Sequence, residues 1–141
     1  KVFEAGGPLA IILVKDVRES LSEACSKFYK KKPTNIIAVT GTNGKSSVVN
    51  FFYQILSLSG ISVASIGTLG ITSYNYNKKT SLTSMDSLSL HKNLQILKKN
   101  KIKNVILEAS SHGLNQKRLN QALPLNLKNK ILNLSNPSKK Q

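Results

Sequence analysis

The stretch from Ile36 to Leu58 constrains the fold more than any other part of this 141-residue chain. Ile36, Ile37, Ala38 and Val39 make an apolar, largely β-branched run, the composition of a buried strand. Gly41, Thr42, Asn43 and Gly44 follow after Thr40, and the two glycines let the backbone turn tightly and point its N–H groups at an anion. Lys45 adds a positive charge, and Ser46 or Ser47 offers a hydroxyl to a magnesium ion. Residues 46–58 read as a helix, so a bound phosphate would also meet a helix N-terminus. Strand, glycine turn, Lys-Ser and helix in that order specify a nucleoside triphosphate site. The strict P-loop places four residues between its first glycine and Gly-Lys, whereas only Thr42 and Asn43 lie between Gly41 and Gly44. A plain strand-to-helix turn with a solvated Lys45 is the alternative, but it gives no reason for glycines, lysine and hydroxyls to coincide.

The rest of the chain predicts alternating strands and helices. Residues 9–14 form an apolar strand candidate, and 17–29 carry Val17, Leu21, Ala24, Cys25 and Phe28 at helical spacing. Lys30 to Pro33 reads as a solvated linker and the best domain boundary. Helix 46–58 stops at Gly60, strand 61–66 runs into Gly67-Thr-Leu-Gly70, and the polar segment 74–79 is expected to end a small hairpin. Asp86 is expected to cap a helix reaching Asn100, with Leu88, Leu90, Leu94 and Leu97 toward the core, before a strand at 104–109. This pattern predicts an α/β fold: a P-loop-type, mostly parallel sheet flanked by helices, with ligands at the carboxyl ends of its strands. Three loops meet that condition, after Thr40, at Gly67 to Gly70, and after Glu108.

A net charge of +15 raises nucleic-acid binding as a function. The lysines are scattered from Lys15 to Lys140, however, and no aromatic side chains alternate with them as a base-stacking surface requires. A lysine- and asparagine-rich composition explains the charge more simply. The single cysteine, Cys25, allows neither a disulfide framework nor a metal cluster and fits a reducing compartment. No apolar run has the length of a membrane span and no signal peptide is visible, so the expected location is cytoplasmic, with no membrane partner. The chain starts at Lys1 and has one methionine, Met85, which reads as a fragment of a longer protein.

Glu108 would emerge at the carboxyl end of its strand, where a carboxylate can hold Mg²⁺ beside the phosphates. His112 could add a second ligand, and Ser110, Ser111 and Gly113 suit a loop that closes on a polar molecule. In isolation each of these residues has an ordinary structural explanation; beside the glycine loop they form a constellation.

Three motifs carry a family resemblance. Gly41-Thr-Asn-Gly-Lys-Ser-Ser47 resembles the ATP loop of the Mur ligases and the related folylpolyglutamate synthases. Glu108-Ala-Ser-Ser-His-Gly-Leu114 with Asn115-Gln-Lys-Arg118 resembles the segment of those Mur ligases that act on UDP-N-acetylmuramoyl-L-alanyl-D-glutamate. Leu82-Thr-Ser-Met-Asp-Ser87 and Ser65-Ile-Gly-Thr-Leu-Gly70 are similar to the same branch, and the likeness spans about Ala10 to Leu119. The resemblance implies phosphorylation of the D-glutamyl carboxylate by ATP, then attack of an amino acid's amine on the acyl phosphate. It implies ATP and Mg²⁺ as cofactors, and UDP-N-acetylmuramoyl-dipeptide and an amino acid as partners of a monomer. By motif match, Gly41, Thr42, Asn43, Gly44, Lys45, Ser46 and Ser47 would bind nucleotide, with Lys45, Glu108 and His112 catalytic. Ser46, Glu108 and His112 would hold metal, and Thr83, Ser84, Ser110, Gln116 and Arg118 would contact the UDP-muramoyl substrate. The Arg118 guanidinium is suited to a carboxylate or diphosphate, while Lys117 beside it reads as a solvated residue.

The resemblance breaks after Leu119. Asn133-Leu-Ser135 is followed by Asn136-Pro-Ser-Lys-Lys-Gln141, without the Arg-Asp-His segment and metal-binding lysine that the family carries there. The expected organisation is therefore a remnant of an N-terminal UDP-binding domain plus linker (1–32), a partial central ATP-binding domain (33–122) and a divergent tail (123–141). Such a chain is not expected to complete ligation alone. The alternatives are another Mur or folylpolyglutamate-type ligase, and a basic P-loop module for nucleotides or nucleic acid.

Overall fold

A computed structural model describes residues 12–79, 85–119 and 121–123. Its elements follow the order α1 (Val17–Phe28), β1 (Asn35–Val39), α2 (Lys45–Leu58), β2 (Val63–Gly67), β3 (Gly70–Ser73), α3 (Ser87–Lys99), β4 (Asn104–Glu108) and α4 (Ser111–Asn115). The sheet order is β1-β4-β2-β3, with β4 parallel to both neighbours and β3 antiparallel to β2. The expected α/β, mostly parallel sheet is thus present, with one antiparallel edge made by the hairpin.

The inserted position of β4 matters for the site. Val39 pairs with Glu108 and Ile66 with Leu107, so β1, β4 and β2 end at one edge of the sheet. The Ala109 N–H donates to the Val39 carbonyl at 2.8 Å and extends that alignment by one residue. Side chains alternate across a strand. Val105 and Leu107 accordingly join Ala64, Ile66, Leu90, Leu94 and Leu97 in the core beneath α3. Ile106 and Glu108 belong to the other face, that of α2.

Leu90, Leu94 and Leu97 are fully buried, but Leu88 is half exposed, which corrects its expected core position. Residues of a helix advance by roughly 100° each, so Leu88 stands about 200° from Leu90 and faces away. Helix α1 forms as its spacing predicts, yet it packs on α3 through Ser22 and Cys25, leaving Val17, Leu21 and Phe28 exposed. Burial pushes the Cys25 thiol above its ordinary value, with the Asp86 charge adding to the effect, so this cysteine is a packing residue. The expected strand at 9–14 falls partly outside the described residues; its described part, 12–14, is not a strand, and Leu13 is 95% exposed.

Segment 74–79 closes a second turn on the hairpin, where Ile71 and Lys78 exchange backbone hydrogen bonds of 2.7 and 2.9 Å. Lys30 to Pro33 has no regular structure, but the Lys32 ammonium reaches the Gln121 carbonyl at 3.1 Å. The tail from 124 to 141 lies outside the described residues.

Candidate nucleotide and metal site

Helix α2 begins at Lys45 with Gly44 as its N-cap, at φ 77°, a left-handed conformation that suits glycine. Among the described residues no side chain caps this end, whereas Asp16, Asp86 and Ser110 cap α1, α3 and α4. The first N–H groups of a helix have no intrahelical acceptor, and here they border the exposed turn Gly41 to Gly44. That is the geometry in which a phosphate meets aligned N–H dipoles. Lys45 folds over the same turn, its ammonium donating to the Gly41 carbonyl at 2.7 Å and the Thr42 carbonyl at 3.2 Å.

Residues at i, i+3 and i+4 share a helix face. Ser46, Val49 and Asn50 therefore turn together toward the sheet, where they line a cavity of about 30 Å³ with Ser65, Gly67, Leu69, Gly70, Thr72 and Glu108. This volume is enough for one or two water-sized species. Glu108 is 4% exposed, and its two carboxylate oxygens accept from Thr68: Oε1 from the backbone N–H and Oε2 from the hydroxyl, each at 3.0 Å. Mg²⁺ uses one or two carboxylates with phosphate oxygens and water, rather than a full protein cage. No group of three or more His, Cys, Asp or Glu able to hold a metal occurs among the described residues. One buried carboxylate and one hydroxyl beside a phosphate loop fit an ion that borrows its other ligands from substrate and solvent.

His112 is exposed and is not among the residues lining this cavity. Its Nε2 lies 2.7 Å from the Gln116 amide nitrogen. The Gln116 amide thus stands against this ring nitrogen, and a metal on Nε2 requires Gln116 to swing away. Ser110 caps α4, its Oγ accepting from the Gly113 N–H at 3.0 Å. Gln116 and Arg118 line a second cavity of about 140 Å³ with Arg18, Leu21, Asp86 and Ser87. This cavity gathers both arginines of the chain, and Arg18 had no motif to mark it. Thr83 and Ser84 lie outside the described residues.

Lys117 corrects the sequence expectation. It has φ 55°, and its ammonium contacts Asp16 Oδ2 at 2.8 Å and Glu19 Oε2 at 2.7 Å, tying the end of α4 to the start of α1. Those two hydrogen bonds raise the Lys117 pKa, and the one from Lys117 is the main cause that lowers Asp16. Asp86 caps α3 as expected, accepting from the Ser89 N–H at 2.8 Å. A larger cavity of about 350 Å³ involves Gly60, Ser62, Asn100 and Lys101 at the opposite end of the sheet.

Sequence reasoning placed the Gly67 to Gly70 loop at the ligand edge but assigned no role to Gly67 or Thr68. Their motif was visible, but its chemistry was not, because neither residue type advertises a carboxylate partner 40 positions away.

Three comparisons bear on this geometry. The Mur ligase middle domain family matches residues 39–135. The UDP-N-acetylmuramoyl-L-alanyl-D-glutamate–2,6-diaminopimelate ligase of Rickettsia bellii is 51% identical over 113 residues, covering 77% of this chain and 24% of that ligase. The ligase of the same name from Rhizobium meliloti is 45% identical over 116 residues, covering 82% of this chain and 24% of that protein. A solved structure of a ligase with this name superposes with a TM-score of 0.66 at 34% identity, covering 78% of this chain and 23% of its own. The chain thus spans about a quarter of the length of the curated relatives it matches.

Proposed function

The chain belongs to the Mur ligase family, and from that premise we propose that it binds Mg-ATP at the Gly41–Gly44 turn for amide-bond ligation in peptidoglycan precursor synthesis. The observation that carries this reading is the shared cavity of Ser46 and Glu108, beside an uncapped helix N-terminus and Lys45.

In the proposed reaction the D-glutamyl carboxylate of UDP-N-acetylmuramoyl-L-alanyl-D-glutamate takes the γ-phosphoryl group of ATP, releasing ADP. An amino acid's amine then displaces phosphate from the acyl phosphate to form the amide. Charge spreads over the transferring phosphoryl oxygens, so aligned N–H groups and a lysine stabilise that step. Lys45 would leave the Gly41 and Thr42 carbonyls and pair with phosphate. Ser46 and Glu108 would hold Mg²⁺, which neutralises phosphate charge, and His112 is the candidate to add a ligand from outside the cavity. Gln116 and Arg118 would hold the UDP-muramoyl substrate with Ser110, Thr83 and Ser84, and the Arg118 guanidinium suits its carboxylate or diphosphate.

The proposed setting is cytoplasmic, as a monomer; no helix among the described residues is long and apolar enough to cross a membrane. Residues 1–32 are proposed as part of a UDP-binding domain, 33–122 as part of the ATP-binding domain and 123–141 as a divergent tail.

The test is calorimetric titration with UDP-N-acetylmuramoyl-L-alanyl-D-glutamate in the presence of Mg-ATP. Binding that Arg118→Ala weakens by about tenfold or more, the worth of one charged hydrogen-bonded contact, supports the substrate assignment. Equal binding of wild type and variant overturns it.

A further inference from the structure

Among the described residues Glu108 is the one carboxylate lining the loop-side cavity, and its position there is not set by β4 alone. Strand β4 brings its Cα level with Val39, but a free carboxylate could rotate about its side-chain torsions. Two features remove that freedom. Gly67 has no side chain, and a Cβ built on it would overlap Oε1, Cδ and Cγ of Glu108, so the carboxylate lies directly over the glycine. Thr68 then grips both oxygens from one residue, with its N–H on Oε1 and its hydroxyl on Oε2, each at 3.0 Å. Each carboxylate oxygen has a second lone pair, so the grip leaves acceptor capacity on both oxygens in the cavity they share with Ser46.

We propose that Thr68 is a positioning residue for metal binding: its hydroxyl fixes the Glu108 carboxylate against Gly67, in the cavity shared with Ser46, where it would hold the Mg²⁺ of Mg-ATP. This rests on the nucleotide-and-metal reading above. The backbone N–H would be supplied by any residue at this position except proline, so what threonine adds is the hydroxyl donor. Outer partners of this kind typically change metal affinity by about 10- to 100-fold when removed.

The experiment is titration of the 141-residue chain with ATP, once in excess Mg²⁺ and once in EDTA, for wild type, Thr68→Val, Thr68→Ser and Glu108→Gln. Valine keeps the shape and removes the hydroxyl; serine keeps the hydroxyl and removes a methyl group. The expected result is that Mg²⁺ strengthens ATP binding by the wild type and by Thr68→Ser, while Thr68→Val loses about tenfold or more of that enhancement. Binding in EDTA should change less than about twofold, and Thr68→Val in the Glu108→Gln background should have no further effect. Enhancement in Thr68→Val equal to wild type, or equal losses in Mg²⁺ and EDTA, overturns the positioning role while leaving the metal site standing. Absence of any Mg²⁺ enhancement in the wild type overturns the metal site itself, and this role with it. If Thr68→Val melts before it can be titrated, an unchanged Mg²⁺ enhancement in Thr68→Ala, titrated below its melting temperature, overturns the proposal equally.

Discussion

The Glu108 carboxylate occupies the space in which a Cβ on Gly67 would stand, so the carboxylate keeps this place only while residue 67 is glycine. Gly67→Ala must push the carboxylate out of its place or spread the two strands. Overpacking of this kind costs about 1–3 kcal/mol. The expected outcome is a lower melting temperature with loss of Mg²⁺-dependent ATP binding; a variant with both properties unchanged would show that the two residues do not touch.

The α3 stripe can be checked by a pair of substitutions. Leu94→Ala removes a fully buried side chain and should cost about 2–5 kcal/mol in denaturant unfolding. Leu88→Ala, two positions before Leu90 on the opposite face, should stay within about 0.5 kcal/mol. Similar losses at both positions would contradict the orientation of the helix.

Asp86 caps α3, and Asp86→Ala should cost about 1 kcal/mol at neutral pH. Burial pushes its pKa up, but the hydrogen bonds from Ser89 and neighbouring backbone together outweigh burial and leave it lowered. A lowered carboxylate stabilises the fold above its unfolded value, near about 4, and loses that contribution as pH falls through its folded value. The stability gap between wild type and Asp86→Asn should therefore move against the wild type on acidification below about pH 4; a gap independent of pH down to 2 would contradict the charged cap.

Lys117 ties α4 to α1 through Asp16 and Glu19. These are exposed pairs, so Lys117→Ala should lower the melting temperature slightly at low salt, and the difference should vanish in about 1 M salt, where the screening length falls to about 3 Å. Asp16 is lowered and Lys117 raised. The contribution should thus be present between the ordinary carboxylate and lysine values, and be lost as pH falls through the folded Asp16 value or rises through that of Lys117. Thermal melts across pH and salt check both edges, and a salt-independent difference would point to packing instead.

What could be read from residues alone followed from local chemistry. The strand before Gly41, the helix after Gly44 and the Asp86 cap each depend on a few neighbouring residues, and each formed where expected. The placement of β4 between β1 and β2 depends on pairing across the chain, and with it the approach of Glu108 to Gly67 and Thr68. The same holds for Lys117: its partners Asp16 and Glu19 are 101 and 98 positions away, and lysine beside an exposed turn looks solvated until they are placed. Val17, Leu21 and Phe28 show the converse error, in which helical spacing is correct but the apolar stripe does not face the observed core.

The central claim is that the short glycine turn with Lys45 is a nucleotide site. Calorimetric titration of the 141-residue chain with Mg-ATP, wild type against Lys45→Ala, tests it most directly. Among the described residues Lys45 bonds only to carbonyls of its own turn, so the variant should melt like the wild type. Loss of a charged hydrogen bond of about 1.5–3 kcal/mol predicts binding weakened by about 10- to 100-fold. Equal Mg-ATP binding by both proteins, or salt-sensitive binding of DNA or RNA in place of ATP, would contradict the account.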